Sequence, residues 1–234
     1  MSRLQQRTVF ITGGSRGIGR AIALACAREG ANVVIAAKTD TPHPKLPGTI
    51  HTVAEEIRNA GGQALPLVLD VRDERQVRQR IDEAAGYFGG IDALVNNAGY
   101  GETGPVETMP IERERAMFEV NVFGLIGLTQ MLLPPMRERR RGRIVNLSSI
   151  AGRFVTPGAG WYGASKHALE GISDALRLEL HRFGVQVVLV EPGLIRTGFE
   201  AVSEASLQQQ STDPVWGPMM RRVAASWAEG FCRG

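Results

Sequence analysis

Cysteine is almost absent from this 234-residue chain: only Cys26 and Cys232 occur, and they lie too far apart to suggest a disulfide framework or zinc-ligand spacing. A reducing, cytoplasmic setting is the expectation. No apolar run reaches the length of a membrane span, residues 1–7 carry no signal-peptide core, and the last four residues match no common sorting or prenylation tail. Lysine is scarce: Lys38, Lys45 and Lys166 stand against 24 arginines, and the net charge is only +3. The single dense basic cluster, Arg137, Arg139, Arg140, Arg141 and Arg143, falls where a helix should end, and there it reads as a solvated face, not a nucleic-acid patch. His43 and His51, in or beside the proline-rich stretch 39–48, have no carboxylate or cysteine arranged with them, so no metal is expected.

What is present is alternation. Strand-like runs at Thr8–Ile11, Asn32–Ala37, Ala64–Leu69, Ala93–Val95, Arg143–Leu147 and Val185–Val190 are separated by helical patterns at Gly17–Glu29, Thr52–Ala60, Glu74–Tyr87, Ile111–Met136 and Trp161–Phe183. The fourth of these helices is expected to stop at or just after Pro134-Pro135. Short apolar strands separated by helices predict an α/β fold: one Rossmann-type, doubly wound parallel sheet with helices on both faces. Residues 1–234 read as one dinucleotide-binding and catalytic domain.

The first strand runs into Thr12-Gly13-Gly14-Ser15-Arg16-Gly17-Ile18-Gly19 and then a helix. Glycines there permit a tight turn and close approach of a pyrophosphate, and the helix N-terminus favours an anion. No Gly-Lys-Ser/Thr follows, which disfavours a P-loop nucleotidase. Further on, Tyr162 and Lys166 stand four apart in a helical pattern, with Ser149 thirteen residues upstream. Lowering a phenol pKa from about 10 to about 7 takes roughly 4 kcal/mol. A cation at 4–5 Å with an effective dielectric near 20 supplies roughly 3–4 kcal/mol, so Lys166 is expected to deliver most of that shift.

The glycine loop, Asn96-Asn97-Ala98-Gly99, Asn121, Ser149, Tyr162-Gly163-Ala164-Ser165-Lys166 and Pro192-Gly193 occur in the order and spacing of the short-chain dehydrogenase/reductase family, over about residues 7–200. Ser149–Lys166 and the segment 190–197 resemble its 17β-hydroxysteroid dehydrogenase-type members, and Ala36–Ile57 its hydroxysteroid-dehydrogenase-like branch. The resemblance implies that Tyr162 is the general acid in ketone reduction and the general base in alcohol oxidation. Ser149 then stabilises the substrate oxygen, Lys166 grips the nicotinamide ribose, and Asn121 holds a water in a proton relay. Read from residue type alone, Asn121 is a poor mid-helix residue whose other reading is a kink or an amide bonded to backbone.

By the same resemblance Gly13, Ser15, Arg16, Gly17, Ile18 and Gly19 hold the cofactor phosphates. Asp70 and Val71 cradle the adenine, Asn97, Ala98 and Gly99 leave room for the adenosine ribose, and Pro192, Gly193, Ile195 and Thr197 meet the nicotinamide. Asp70 could instead, or also, cap the following helix. The second strand ends Ala36-Ala37-Lys38, with no acid before Asp40. A ribose 2′-hydroxyl wants a carboxylate there, whereas a 2′-phosphate wants cations such as Lys38 and Arg16, so NADP(H) is favoured over NAD(H). Tyr100, Gly101, Phe154, Val155, Trp161 and the segment 194–234 are expected to line an apolar substrate site, suited to a small hydrophobic ketone or secondary alcohol. The resemblance also implies a seventh strand that this chain does not show, and a homodimer through Ile111–Pro134 and Trp161–Phe183. Two other functions compete. A 3-oxoacyl-carrier-protein reductase would want a basic entrance, for which only Arg153 and Arg196 offer themselves. A non-catalytic nucleotide-binding scaffold or sensor would more often have lost Tyr162 or Lys166.

Overall fold

Six aliphatic runs form strands: Thr8–Thr12 (β1), Asn32–Ala37 (β2), Gln63–Val68 (β3), Ala93–Asn96 (β4), Gly142–Leu147 (β5) and Val185–Val190 (β6). In the computed structural model, which describes residues 2–42, 47–195, 197 and 199–232, they pair in parallel in the order β3-β2-β1-β4-β5-β6. His43, Lys45 and Arg196 lie outside the described residues. Side chains alternate across a strand, and here both sets are buried. Val9, Ile11, Val33 and Ile35 enter one core with Ala23 of α1 (Gly17–Arg28) and Ile50, Val53 and Ile57 of α2 (Ile50–Asn59). Phe10, Val34 and Ala36 enter the other, with Val77 and Ile81 of α3 (Glu74–Phe88).

The expected single helix from Ile111 is three pieces. α4 (Ile111–Phe118) passes through a π-helical turn at 119–124 into α5 (Leu125–Glu138). The helix also runs on past Pro134 and Pro135 to Glu138, because both prolines lie on its exposed side. By length and composition Ile111–Glu138 is apolar enough to cross a membrane, with mean hydropathy 1.5 over its most apolar window. Its Leu128, Leu132 and Met136 are buried in the sheet core.

α6 (Gly160–Leu180) packs against β6. Among the described residues the sheet has six strands, and β6 is its edge, with Val188 and Val190 exposed. α7 (Phe199–Gln210) and α8 (Gly217–Cys232) return over the ends of the strands. Ser206 Oγ donates to the Thr103 carbonyl at 2.9 Å, and Trp216 Nε1 donates to Glu107 at 2.9 Å. The two helices are thereby tied to the segment that follows β4.

Candidate active site

The strand order reverses between β1 and β4, and the crevice lies at their carboxyl ends. Thr12 Oγ1 accepts from the Asn97 and Ala98 amides at 3.0 Å each, while Asn97 Nδ2 donates to the carbonyls of Thr12 and Gly13 at 3.0 and 3.1 Å. Asn97 therefore braces the glycine loop. Gly13 and Gly17 have φ of +65° and +53°, a region that favours glycine. A Cβ on Gly19 would stand 2.3 Å from the Gly13 carbonyl oxygen. The first turn of α1 holds no acid, Arg16 is its N-cap residue, and Ser15 is buried in the loop. This cradle of backbone amides at a helix N-terminus fits a dinucleotide pyrophosphate. Thr197 lies over it, since a Cβ on Gly17 would meet the Thr197 side chain at 3.4 Å.

The far end of the crevice differs from expectation in one respect. Lys38 does not stand clear of carboxylates: its Nζ is 3.2 Å from Asp70, which lies just past β3, the strand paired with β2. Asp70 does not cap α3. Asp73 does, accepting from the Gln76 amide at 3.0 Å. The Asp70 carboxylate is gripped by the Arg72 guanidinium at 2.7 Å, and that bond, with Lys38 beside it, holds its pKa far below the usual carboxylate range. Arg16 reaches the same end, donating to Thr39 Oγ1 at 3.1 Å and the Gly48 carbonyl at 3.2 Å. Arg72 was invisible to sequence reasoning, because its relevance depends on β3 lying next to β2. Val71 packs against the core, beneath Gly124 of the π turn.

At the reacting end Ser149, Tyr162 and Lys166 meet. Ser149 accepts from the Ala151 amide at 3.1 Å, and its hydroxyl favours the ionised form of the Tyr162 phenol. Lys166 is buried, and its Nζ donates to the Leu147 carbonyl at 2.8 Å, 5.8 Å from the centre of the Tyr162 ring. The expected depression of the phenol pKa is not found. Burial raises it, and hydrogen bonding by Ser149 offsets only part of that. Burial also brings Lys166 down to about 8, against the pull of Glu170 one turn on.

Asn121 is fully buried at the π turn. Its Oδ1 accepts from the Tyr100 amide at 3.1 Å, and its Nδ2 donates to the Tyr100 carbonyl at 2.9 Å and to Ser165 Oγ at 3.2 Å. The amide bonded to backbone is thus the observed state. A Cβ on Gly99 would stand 3.0 Å from Asn121 Oδ1 and 3.9 Å from Lys166 Nζ, so the small residue keeps the two side by side.

Comparison with known proteins agrees with this geometry. The family model for short chain dehydrogenase matches residues 7–208. The chain belongs to the short-chain dehydrogenase family. Hydroxysteroid dehydrogenase-like protein 2 of Danio rerio is 51% identical over 142 residues, which is 60% of this chain and 34% of that protein. The same protein of Homo sapiens is 50% identical over 147 residues, 62% of this chain and 35% of that one. The matched stretch thus spans about a third of the length of these curated relatives. A short-chain type dehydrogenase/reductase from Mycobacterium marinum superposes with a TM-score of 0.77 at 34% identity, over 84% of this chain and 76% of that one. A metagenomic short-chain oxidoreductase in complex with NADP gives 0.74 at 34% identity, over 82% and 85%.

In this family member a cavity of about 750 Å³ joins the glycine-loop side, at Ile18, Asn97 and Gly99, to the reacting end. Pro192, Gly193, Ile195 and Thr197 line it, as do Gly101 and Phe154. Tyr100, Val155 and Trp161 do not. Asn121 holds the Tyr100 backbone so that the neighbouring Gly99 and Gly101 face the cavity. Val155 packs on Gly163. Trp161, one residue before Tyr162 on α6, is turned by about 100° from it and lines a separate notch with Glu114 and Phe118. Ser148 lines the cavity with its Oγ buried and unpartnered among the described residues, whereas its amide bonds the Val190 carbonyl at 2.8 Å. Within the segment 194–234 expected to line the site, α8 contributes Met219, Arg222, Val223, Ser226 and Trp227, individual residues that the sequence did not single out. Arg153 offers no free basic entrance, since it is paired with Glu191 at 2.7 Å and Glu170 at 3.2 Å.

Proposed function

We propose that the chain is an NADP(H)-dependent oxidoreductase that interconverts a ketone and a secondary alcohol on an apolar substrate, with Tyr162 as proton donor and acceptor. The observation that carries this reading is the meeting of Ser149, Tyr162 and Lys166 in one cavity that continues to the glycine loop. A nicotinamide bound in the crevice supplies or accepts the hydride. The chain's residues manage the proton and the charge. As a carbonyl carbon gains hydride its oxygen becomes an alkoxide, and Tyr162 Oη gives it a proton while Ser149 Oγ donates a hydrogen bond to the same oxygen. Alcohol oxidation runs these transfers backwards. Because burial raises the phenol pKa, Tyr162 is protonated at neutral pH, the state that ketone reduction requires. Lys166 fixes the floor of the site through Leu147, and Asn121 fixes the segment 99–101 above it.

The preference for the 2′-phosphate rests on Arg16, Lys38 and Arg72 at the far end of the crevice, where the Asp70 carboxylate is already paired with Lys38 and Arg72. NADPH is expected to bind at least about tenfold tighter than NADH. Equal affinities in a nucleotide fluorescence titration would overturn that preference. The activity is tested by following NADPH oxidation over a panel of apolar ketones, with Tyr162→Phe as control. A variant as active as the parent would remove Tyr162 from the chemistry. A cytoplasmic location is part of the same proposal, as is a homodimer through α4–α5 and α6, supported by the exposed Ile111 and Phe123.

A further inference from the structure

One wall of the cavity that holds Tyr162 is a face of α8. Met219, Arg222, Val223, Ser226 and Trp227 recur at helical spacing and all line the cavity. That face is held in place: Met220, on the next face, is fully buried and packs on Gly158, and Arg221 donates to the Ser211 carbonyl at 2.6 Å. Three charged side chains line the cavity: Glu102, Lys166 and Arg222. Glu102 is neutralised by Arg113 at 2.6 Å, and Lys166 is buried at the reacting end on the Leu147 carbonyl. Arg222 alone of the three has no carboxylate or carbonyl partner among the described residues, and it lies where the cavity opens to solvent.

The rest of the lining is largely apolar, with Phe154, Leu194, Ile195, Phe199 and Val223, interrupted by hydroxyls such as Thr156 and Ser203. A wholly apolar substrate would need no cation in the wall, and an unpaired guanidinium there would disfavour one less than it would favour an anion. From this arrangement we infer that the substrate carries a carboxylate remote from its reacting carbon, and that Arg222, with the Ser226 hydroxyl one turn along, holds that carboxylate at the cavity mouth. The inference rests on the oxidoreductase reading above and narrows its substrate to oxo or hydroxy carboxylic acids with an apolar body. Arg222 is a specificity residue and takes no part in proton transfer.

The test compares a medium-chain oxo carboxylic acid with its neutral methyl ester as substrates for NADPH oxidation, in the parent, Arg222→Gln and Arg222→Lys. The parent is expected to favour the acid in kcat/KM by about fivefold or more, a modest factor because the guanidinium is exposed. The acid-to-ester ratio should fall towards one in Arg222→Gln, recover in part in Arg222→Lys, and shrink with added salt. A ratio near one in the parent, or one that Arg222→Gln leaves unchanged, overturns the inference. If neutral ketones are reduced in a Tyr162-dependent way while that ratio is one, the oxidoreductase reading stands and only the carboxylate subsite falls. If neither substrate turns over, calorimetric binding of the unreactive saturated fatty acid and its methyl ester to the protein with NADP decides the subsite. Tighter binding of the acid, lost in Arg222→Gln, upholds it, and equal binding overturns it.

Discussion

Glu114 should make the protein less stable as pH rises through neutrality, and Glu114→Gln should abolish that effect. Glu114 is 1% exposed, and neither carboxyl oxygen has a hydrogen-bond partner among the described residues. Burial, reinforced by the nearby Glu102 carboxylate and only partly opposed by Arg113, raises its pKa from 4.5 to about 7. The unfolded chain loses this proton first, so ionisation favours unfolding. The stability linked to the neutral acid is fully present below about pH 4.5 and is lost as pH rises through about 7. Two and a half pKa units amount to about 3 kcal/mol over the whole window, and about 2–3 kcal/mol between pH 5 and pH 8. Glutamine has the same shape and no titration, so the stability difference between variant and parent should grow in the variant's favour by that amount from pH 5 to pH 8. Urea unfolding with linear extrapolation, repeated at the two pH values, measures it. Parallel stability curves for the two proteins would show that Glu114 is ionised or paired in the folded state, and would refute the reasoning.

Gly19→Ala should abolish dinucleotide binding by fluorescence titration while the protein still folds by circular dichroism, because its Cβ would sit 2.3 Å from the Gly13 carbonyl oxygen and 2.6 Å from Asn97 Nδ2. In the protein without cofactor, the ultraviolet difference titration between parent and Tyr162→Phe should place the Tyr162 ionisation above the ordinary phenol value of 10.0, and a transition near 7 would contradict the geometry. Lys166→Met should lose catalytic activity yet unfold at higher urea at pH 7, by about 1–3 kcal/mol. The folded-state pKa of about 8 lies below the ordinary 10.5, so the charged lysine opposes folding below about pH 8 and that penalty fades as pH rises towards 10.5; a variant less stable than the parent at pH 7 would count against this sign.

The sheet was readable because β1 and β2 bury both faces, which leaves continuous aliphatic runs where one exposed face would have left alternation. The glycine loop was readable because its chemistry is local: a strand, a turn and a helix start within twelve residues. Side-chain direction was harder. Trp161 and Tyr162 are consecutive on a helix and cannot share a face, so the periodicity itself could have excluded Trp161 from the site. The inward face of α8 was present as a 219, 222, 223, 226, 227 pattern, but which face turns inward depends on its docking across Gly158. Glu114 was unreadable for another reason. Alternating Glu and Arg at 112–115 looks like a solvated helix face, and only packing against α6 buries one of its charges. The position of Asp70 beside Lys38 likewise needed the register of β2 on β3.

The Tyr162–Lys166 pair shows what spacing alone leaves open. Four residues on a helix place the two side chains on one face, and a free ammonium at 4–5 Å would be worth roughly 3–4 kcal/mol to a tyrosinate. That sum assumes the ammonium faces the phenol oxygen. Here β5 ends beneath it, and the Leu147 carbonyl accepts a hydrogen bond from it at 2.8 Å. Both groups are buried, so desolvation acts on each in the direction of its neutral form: the phenol goes up and the ammonium comes down. The outcome is a site whose acid is protonated at neutral pH and whose lysine is still mostly charged there. Ketone reduction needs that combination, and alcohol oxidation must first overcome it. In the proposed reading, burial of the phenol, more than its spacing from Lys166, is what keeps the acid protonated.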